Sequence, residues 1–231
     1  MKGKNLKYGE NNLESQTDEL IYFPINEKMA DIAYSLGLSP NQITLLSTIF
    51  QILAGYKLYT NDPKKASLFY LIGYLLDGAD GILARKYKMY SKFGETFDLA
   101  SDVMTTLCLI FIFFVKYVKK EHLIFIMLIT LTIVHYSGLW FGLTNAIKCL
   151  KNHGHDNFYK EKKKDLKSES GLFHCIYMTY IKHTYKDYKQ NYPNITLEEM
   201  YKEINKLRIF GPGNMATALI TSLYFAIPIY K

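Results

Sequence analysis

Apolar residues in this chain gather into long uncharged runs separated by short lysine-rich stretches. A bilayer-spanning helix takes about 20 largely apolar residues, so these runs predict an all-α, polytopic membrane helix bundle with five spans. The first follows Ser39-Pro40-Asn41, with Ser39 as N-cap and Pro40 at the first helical position; the run NQITLLSTIFQILAGYKLY then carries no charge before Lys57. After an Asn61-Asp62-Pro63 turn, a second run starts at Ala66 and reaches spanning length only by continuing through Asp77 and Asp80 to about Ala84. A third begins near Phe93, takes in Asp98 and Asp102, and ends in TTLCLIFIFFVKYV. The fourth covers Leu123 to Leu143, where His135 reads as a core histidine, and the fifth covers Met215 to Ile229.

Between the spans the pattern changes character. Residues 1–39 form a polar tail carrying an amphipathic helix that begins near Pro24 or later and suits the membrane interface. Residues 40–147 hold the four-span core, 148–210 a basic helical insertion with amphipathic patterns around 172–189 and 196–208, and 211–231 the last span. The opening MKGKNLKYGE lacks an apolar core, so no cleaved secretory signal is expected.

Composition sharpens this reading in two ways. The chain has 231 residues, is 49% hydrophobic and carries a formal net charge of +7, while its mean hydropathy of −0.05 averages away the segregation of apolar and basic segments. Disorder and, with three cysteines at unpaired spacings, a disulfide scaffold are excluded. Lys and Arg number four in residues 1–40, four in 85–92 and thirteen in 148–210, against six in the alternate connections. That bias predicts a cytoplasmic N-terminus and places the aspartate-bearing span ends at the cytoplasmic face.

Those aspartates carry the candidate chemistry. Asp77 and Asp80 are three apart and Asp98 and Asp102 four apart, so each pair shares a helical face. Ionisable residues at membrane depth are costly and mark functional sites. Four converging carboxylates repel one another unless cations neutralise them, and all-oxygen ligation suits Mg²⁺ or Mn²⁺. Gly78, Gly81 and Gly94 allow close approach of a backbone or ligand, and Arg85 offers a planar cation to a phosphate oxygen. Metal, carboxylates, glycine and arginine together describe a site for a nucleotide diphosphate, where positioning and charge neutralisation do most of the catalysis.

Written out, Asp77 to Asp102 reads D-G-A-D-G-I-L-A-R-K-Y-K-M-Y-S-K-F-G-E-T-F-D-L-A-S-D. It resembles the signature of the CDP-alcohol phosphotransferase family, D-x-x-D-G-x-x-A-R-x(8)-G-x-x-x-D-x-x-x-D, at every fixed position. A chance match to eight fixed residues is on the order of 10⁻⁸. Pro40, Asn41 and Thr44 resemble the P-N-x-x-T that opens the family's first span.

The resemblance implies an enzyme that displaces CMP from a CDP-linked alcohol with the hydroxyl of a second alcohol, one of the two being a lipid. By that carry-over Asp77, Asp80, Asp98 and Asp102 hold two Mg²⁺ or Mn²⁺ ions and Asp102 is the general base, while Asn41, Thr44, Gly81, Arg85, Ser91 and Gly94 contact the CDP portion. Arg208, at the entrance to the last span, is a further candidate for a head-group or phosphate contact. Homodimers with six spans per chain are usual in the family, one more than the pattern here predicts. No nucleic-acid partner is expected.

CDP-diacylglycerol with a small polar alcohol is the favoured pair; CDP-choline or CDP-ethanolamine with diacylglycerol is the alternative. A membrane prenyltransferase would place its two aspartate motifs on non-adjacent helices, whereas both pairs here lie within 26 residues. A divalent-cation transporter would place them near the bilayer midplane rather than at span ends.

Overall fold

Local chemistry at the helix starts sets the element boundaries. In the computed structural model, which describes residues 13–168 and 196–227, a π-helical turn at Asp18–Tyr22 leads into α1 (Phe23–Ser35). That helix closes at Gly37, whose φ of +70° suits glycine, and the Leu38 N–H returns to the Ala33 carbonyl. Helix α2 (Pro40–Tyr59) opens as expected: Pro40 is its first residue, and the Gln42 side chain accepts from the Ser39 N–H at 2.7 Å. Helix α3 (Pro63–Lys86) is capped by Asp62, which accepts from the Lys65 N–H, and α4 (Lys92–Tyr117) by Ser91, which accepts from the Gly94 N–H. There follow α5 (Leu123–Ser168), α6 (Leu197–Leu207), capped reciprocally by Thr196 and Glu199, and α7 (Pro212–Tyr224).

Helix α3 is the hub, packing against α1, α2 and α7, while α2 also packs on α4. Small residues allow the close approach that membrane helices need. One buried cluster joins Ala54 and Leu58 of α2, Ala66 and Tyr70 of α3, Leu109 of α4 and Ala216 of α7. A second joins Ala30 and Ala33 of α1 to Ile43, Ile82 and Leu83. At Gly78 a Cβ would lie 1.9 Å from the end of the Asn26 side-chain amide, so this glycine leaves room for α1 against the aspartate-bearing part of α3.

The all-α bundle of membrane helices is as expected, but the span count differs. Among the described residues three segments are long and apolar enough to cross a membrane, Pro63–Lys86, Thr96–Tyr117 and Lys120–Thr144, against the five expected. Helix α2 has 20 residues, yet Asn41, Gln42, Gln51 and Lys57 dilute its apolar character. Its buried polar residues Thr44, Ser47 and Gln51 have places inside the bundle. Helix α7 has 13 residues, about 20 Å of helix against a hydrocarbon thickness of about 30 Å. Helix α5 passes the expected boundary at 147 without a break and runs to Ser168. His135 is exposed on that helix rather than in a core. The amphipathic pattern at 172–189 lies outside the described residues, and that at 196–208 forms α6.

Candidate active site

The last turns of α3 and the first turns of α4 bring the aspartates together. Carboxylate oxygens of Asp77, Asp98 and Asp102 lie within 4.8 Å of one another, with all three residues half-buried. Asp80 stands one turn after Asp77, is 4% exposed, and its Oδ2 accepts a hydrogen bond from the Thr44 hydroxyl of α2. Carboxylates so close inside a bundle repel one another strongly, because little solvent screens them. The donor set is all oxygen and clustered, so the residues present fit a hard divalent cation.

The remaining expected residues take defined places around this cluster. Asn41 and Ser91 meet at the N-terminal ends of α2 and α4, where Ser91 Oγ donates to Asn41 Oδ1 at 3.4 Å. A Cβ at Gly94 would lie 2.4 Å from that Asn41 oxygen, so glycine is what permits the contact. Arg85 folds back along α3 over Gly81, where a Cβ would sit 3.1 Å from its Nη1. Arg85, Asp77 and Asp102 all line a cavity of about 660 Å³. Apolar residues also line it, among them Ile110 and Phe113 from α4, Ile133 and Val134 from α5 and Leu219 from α7. The cavity is thus lined by both charged and apolar side chains.

Arg208 is engaged elsewhere. Its Nε donates to the Glu14 carbonyl at 2.8 Å and its Nη2 pairs with Glu19 at 2.8 Å, and it does not line the cavity. That geometry ties the N-terminal segment to the turn that precedes α7.

Sequence reasoning passed over several residues at the site. Gln51 and Tyr70 line the cavity, as do Glu14 and Asp18 from the N-terminal segment. A signal for Gln51 was present: Asn41, Thr44, Ser47 and Gln51 form a polar stripe at helical spacing along a span otherwise rich in Ile and Leu. No comparable signal exists for Glu14 and Asp18, because their neighbours lie near the far end of the chain.

Comparison with known proteins agrees with this geometry. Residues 37–186 match the family described as CDP-alcohol phosphatidyltransferase. Among curated proteins, the chain is 33% identical over 85 residues to an archaetidylinositol phosphate synthase of Pyrococcus horikoshii, covering 37% of this chain and 45% of that protein. It is 31% identical over 104 residues to a phosphatidylcholine synthase of Pseudomonas aeruginosa, covering 43% and 44%. It is 37% identical over 71 residues to a human CDP-diacylglycerol–inositol 3-phosphatidyltransferase, covering 31% and 33%. The matches therefore span less than half the length of these relatives. No solved structure matches significantly.

Proposed function

The chain belongs to the CDP-alcohol phosphatidyltransferase family, and from that membership we propose that it transfers a phospho-alcohol group from a CDP-linked alcohol to the hydroxyl of a second alcohol, releasing CMP, in phospholipid synthesis. The observation that carries the reading is the convergence of Asp77, Asp98 and Asp102 within 4.8 Å, with Asp77 and Asp102 lining a cavity they share with Arg85.

In this reading the residues divide the work by position. Asn41, Thr44, Gly81, Ser91 and Gly94 hold the CDP portion, and the Arg85 guanidinium grips the diphosphate. Asp77, Asp98 and Asp102, with Asp80 beside them, hold two Mg²⁺ or Mn²⁺ ions. When bound, such ions neutralise diphosphate charge and stabilise the charge that develops on the departing CMP. Asp102 takes the proton of the acceptor hydroxyl as its oxygen bonds to phosphorus, and the bond from that phosphorus to the CMP oxygen breaks. The apolar residues that line the cavity shield the lipid substrate from water.

CDP-diacylglycerol with a small polar alcohol is the favoured pair, supported by relatives named for inositol and choline products. The lysine-rich connecting segments support an active site on the cytoplasmic side. The test is release of CMP by the purified full chain in lipid, with Mg²⁺ or Mn²⁺. The panel pairs CDP-diacylglycerol, CDP-choline and CDP-ethanolamine with inositol, serine, glycerol phosphate, choline and diacylglycerol. We expect CMP from CDP-diacylglycerol and one small alcohol, abolished by EDTA and by Asp102→Asn. CMP from CDP-choline with diacylglycerol would keep the reaction and reverse the donor. No CMP from any pair, or full activity in Asp102→Asn, would overturn the reading; metal flux into proteoliposomes that survives that substitution would point to transport.

A further inference from the structure

We infer that Gln51 is a positioning residue for Asp102: from α2 its side-chain amide donates to one carboxylate oxygen and fixes how the other faces the cavity. The inference rests on the proposed role of Asp102. Gln51 is 6% exposed, and its Nε2 lies 3.4 Å from Asp102 Oδ1 and 3.2 Å from Ser47 Oγ. At the other end of the amide, Oε1 accepts from the Thr105 hydroxyl, one turn beyond Asp102 on α4. An ionised carboxylate only accepts, so the amide edge facing Asp102 is the N–H edge, and Thr105 holds the oxygen edge away from it.

The surroundings are shaped for this side chain. A Cβ on Gly73 of α3 would come within 2.8 Å of Gln51 Cγ and 3.2 Å of the Ser47 carbonyl, so the hub helix is bare where Gln51 lies. Ser47 in turn donates to the Gly73 carbonyl at 3.0 Å and fixes the backbone there. A buried amide in a membrane helix costs free energy unless its polar atoms are satisfied, and a residue needed only for packing would be apolar. Gln51 lines the same cavity as Asp77 and Asp102, so its donated hydrogen bond lies beside the aspartates of the proposed site. Partners of this kind, behind residues that touch a metal, are worth about 10–100-fold in metal affinity or activity.

The experiment compares Gln51→Met, similar in volume but without a donor, with Thr105→Val and the double variant, all as full-length protein in lipid. The readings are kcat and KM for CMP release, Mn²⁺ affinity by electron paramagnetic resonance without substrate, and thermal midpoint. We expect Gln51→Met to lower kcat about 10–100-fold and weaken Mn²⁺ binding several-fold, with KM for the CDP donor within about threefold of wild type. Thr105→Val should lose less, and the double variant no more than Gln51→Met alone, because Thr105 acts through the amide. Gln51→Met within twofold of wild type in kcat and Mn²⁺ affinity overturns the inference, as does a loss that vanishes once corrected for the folded fraction. If Gln51→Met does not fold, Thr105→Val decides by the same readings, wild-type values overturning the inference and a reduced kcat supporting it. Asp102→Asn separates the two levels: its retained activity sinks the proposed reaction, whereas its inactivity beside wild-type behaviour of the Gln51 and Thr105 variants sinks only the role of Gln51.

Discussion

Thr44 shows how much one hydroxyl can decide at the scale of a residue. It is 3% exposed and donates to Asp80, with the Pro40 carbonyl 3.1 Å away as a second acceptor. Thr44→Val keeps the shape and removes a hydroxyl that answers a buried carboxylate, a loss of about 1–3 kcal/mol. We expect Thr44→Val to lower CMP release at least tenfold and Thr44→Ser to keep most of it, measured under saturating Mn²⁺. Gly94 makes a steric counterpart: Gly94→Ala would set a methyl 2.4 Å from Asn41 Oδ1 and 2.7 Å from Ser91 Oγ, so KM for the CDP donor should rise. Both residues were legible in the sequence because they belong to short local motifs. Gln51 left a signal too, in the polar stripe it shares with Asn41, Thr44 and Ser47, but a reading that searches a span for apolar positions passes over its polar ones. The pairing of Arg208 with Glu19, 189 positions away, is one no local pattern reveals.

Among the elements, α7 depends on a cap from the other end of the chain. The Gly213 N–H donates to Asp18 Oδ2 at 2.8 Å, and Asp18 also accepts from Tyr74 at 2.9 Å and Ser15 at 2.6 Å. A carboxylate at a helix N-terminus meets unsatisfied N–H groups and the positive end of the macrodipole. Thr17 to Asn214 and Tyr22 to Thr217, each at 2.8 Å, extend the junction along the helix. Asp18→Ala should therefore lower the thermal midpoint by an amount equivalent to about 1–3 kcal/mol, and a midpoint equal to wild type would show the junction to be dispensable. At the α1–α3 contact, hydrogen bonds from Lys86 and Tyr87 hold the Asp31 carboxyl below its usual range. A depressed carboxylate contributes stability above its unfolded pKa of about 3.9 and loses it as pH falls through the folded value. The stability difference between wild type and Asp31→Asn should thus shrink on acidification below about pH 4, and it should be small, because the pair is solvent-exposed. Helices α2 to α4 could be read in advance from Pro40, Pro63 and Ser91. The end of α5 could not, because its continuation past residue 147 is basic and a membrane criterion stops where charge begins.

For the whole molecule, the segregation of charge orders the bundle across the membrane. Helix α3 has one end at the Asn61-Asp62 turn and the other at Lys86, and the loop from Lys86 to Lys92 carries the basic residues that flank the aspartate motif. Basic residues in short loops stay on the cytoplasmic side, so the loop holding Tyr90 should face the cytoplasm and Thr60 the opposite face. Tyr90 is 70% exposed and Thr60 is exposed, so a cysteine at either position is open to reagent. With Cys108, Cys149 and Cys175 replaced by serine, a membrane-impermeant maleimide should label Tyr90→Cys in inside-out vesicles and Thr60→Cys in right-side-out ones. The reverse pattern would turn the active site away from the cytoplasm while leaving the site geometry untouched. Labelling of both from one side would remove α3 as a span. That outcome would reach further than orientation, because Asp77 and Asp80 lie on α3, and their burial among α1, α2 and α4 assumes that this helix crosses the bilayer as the hub of the bundle.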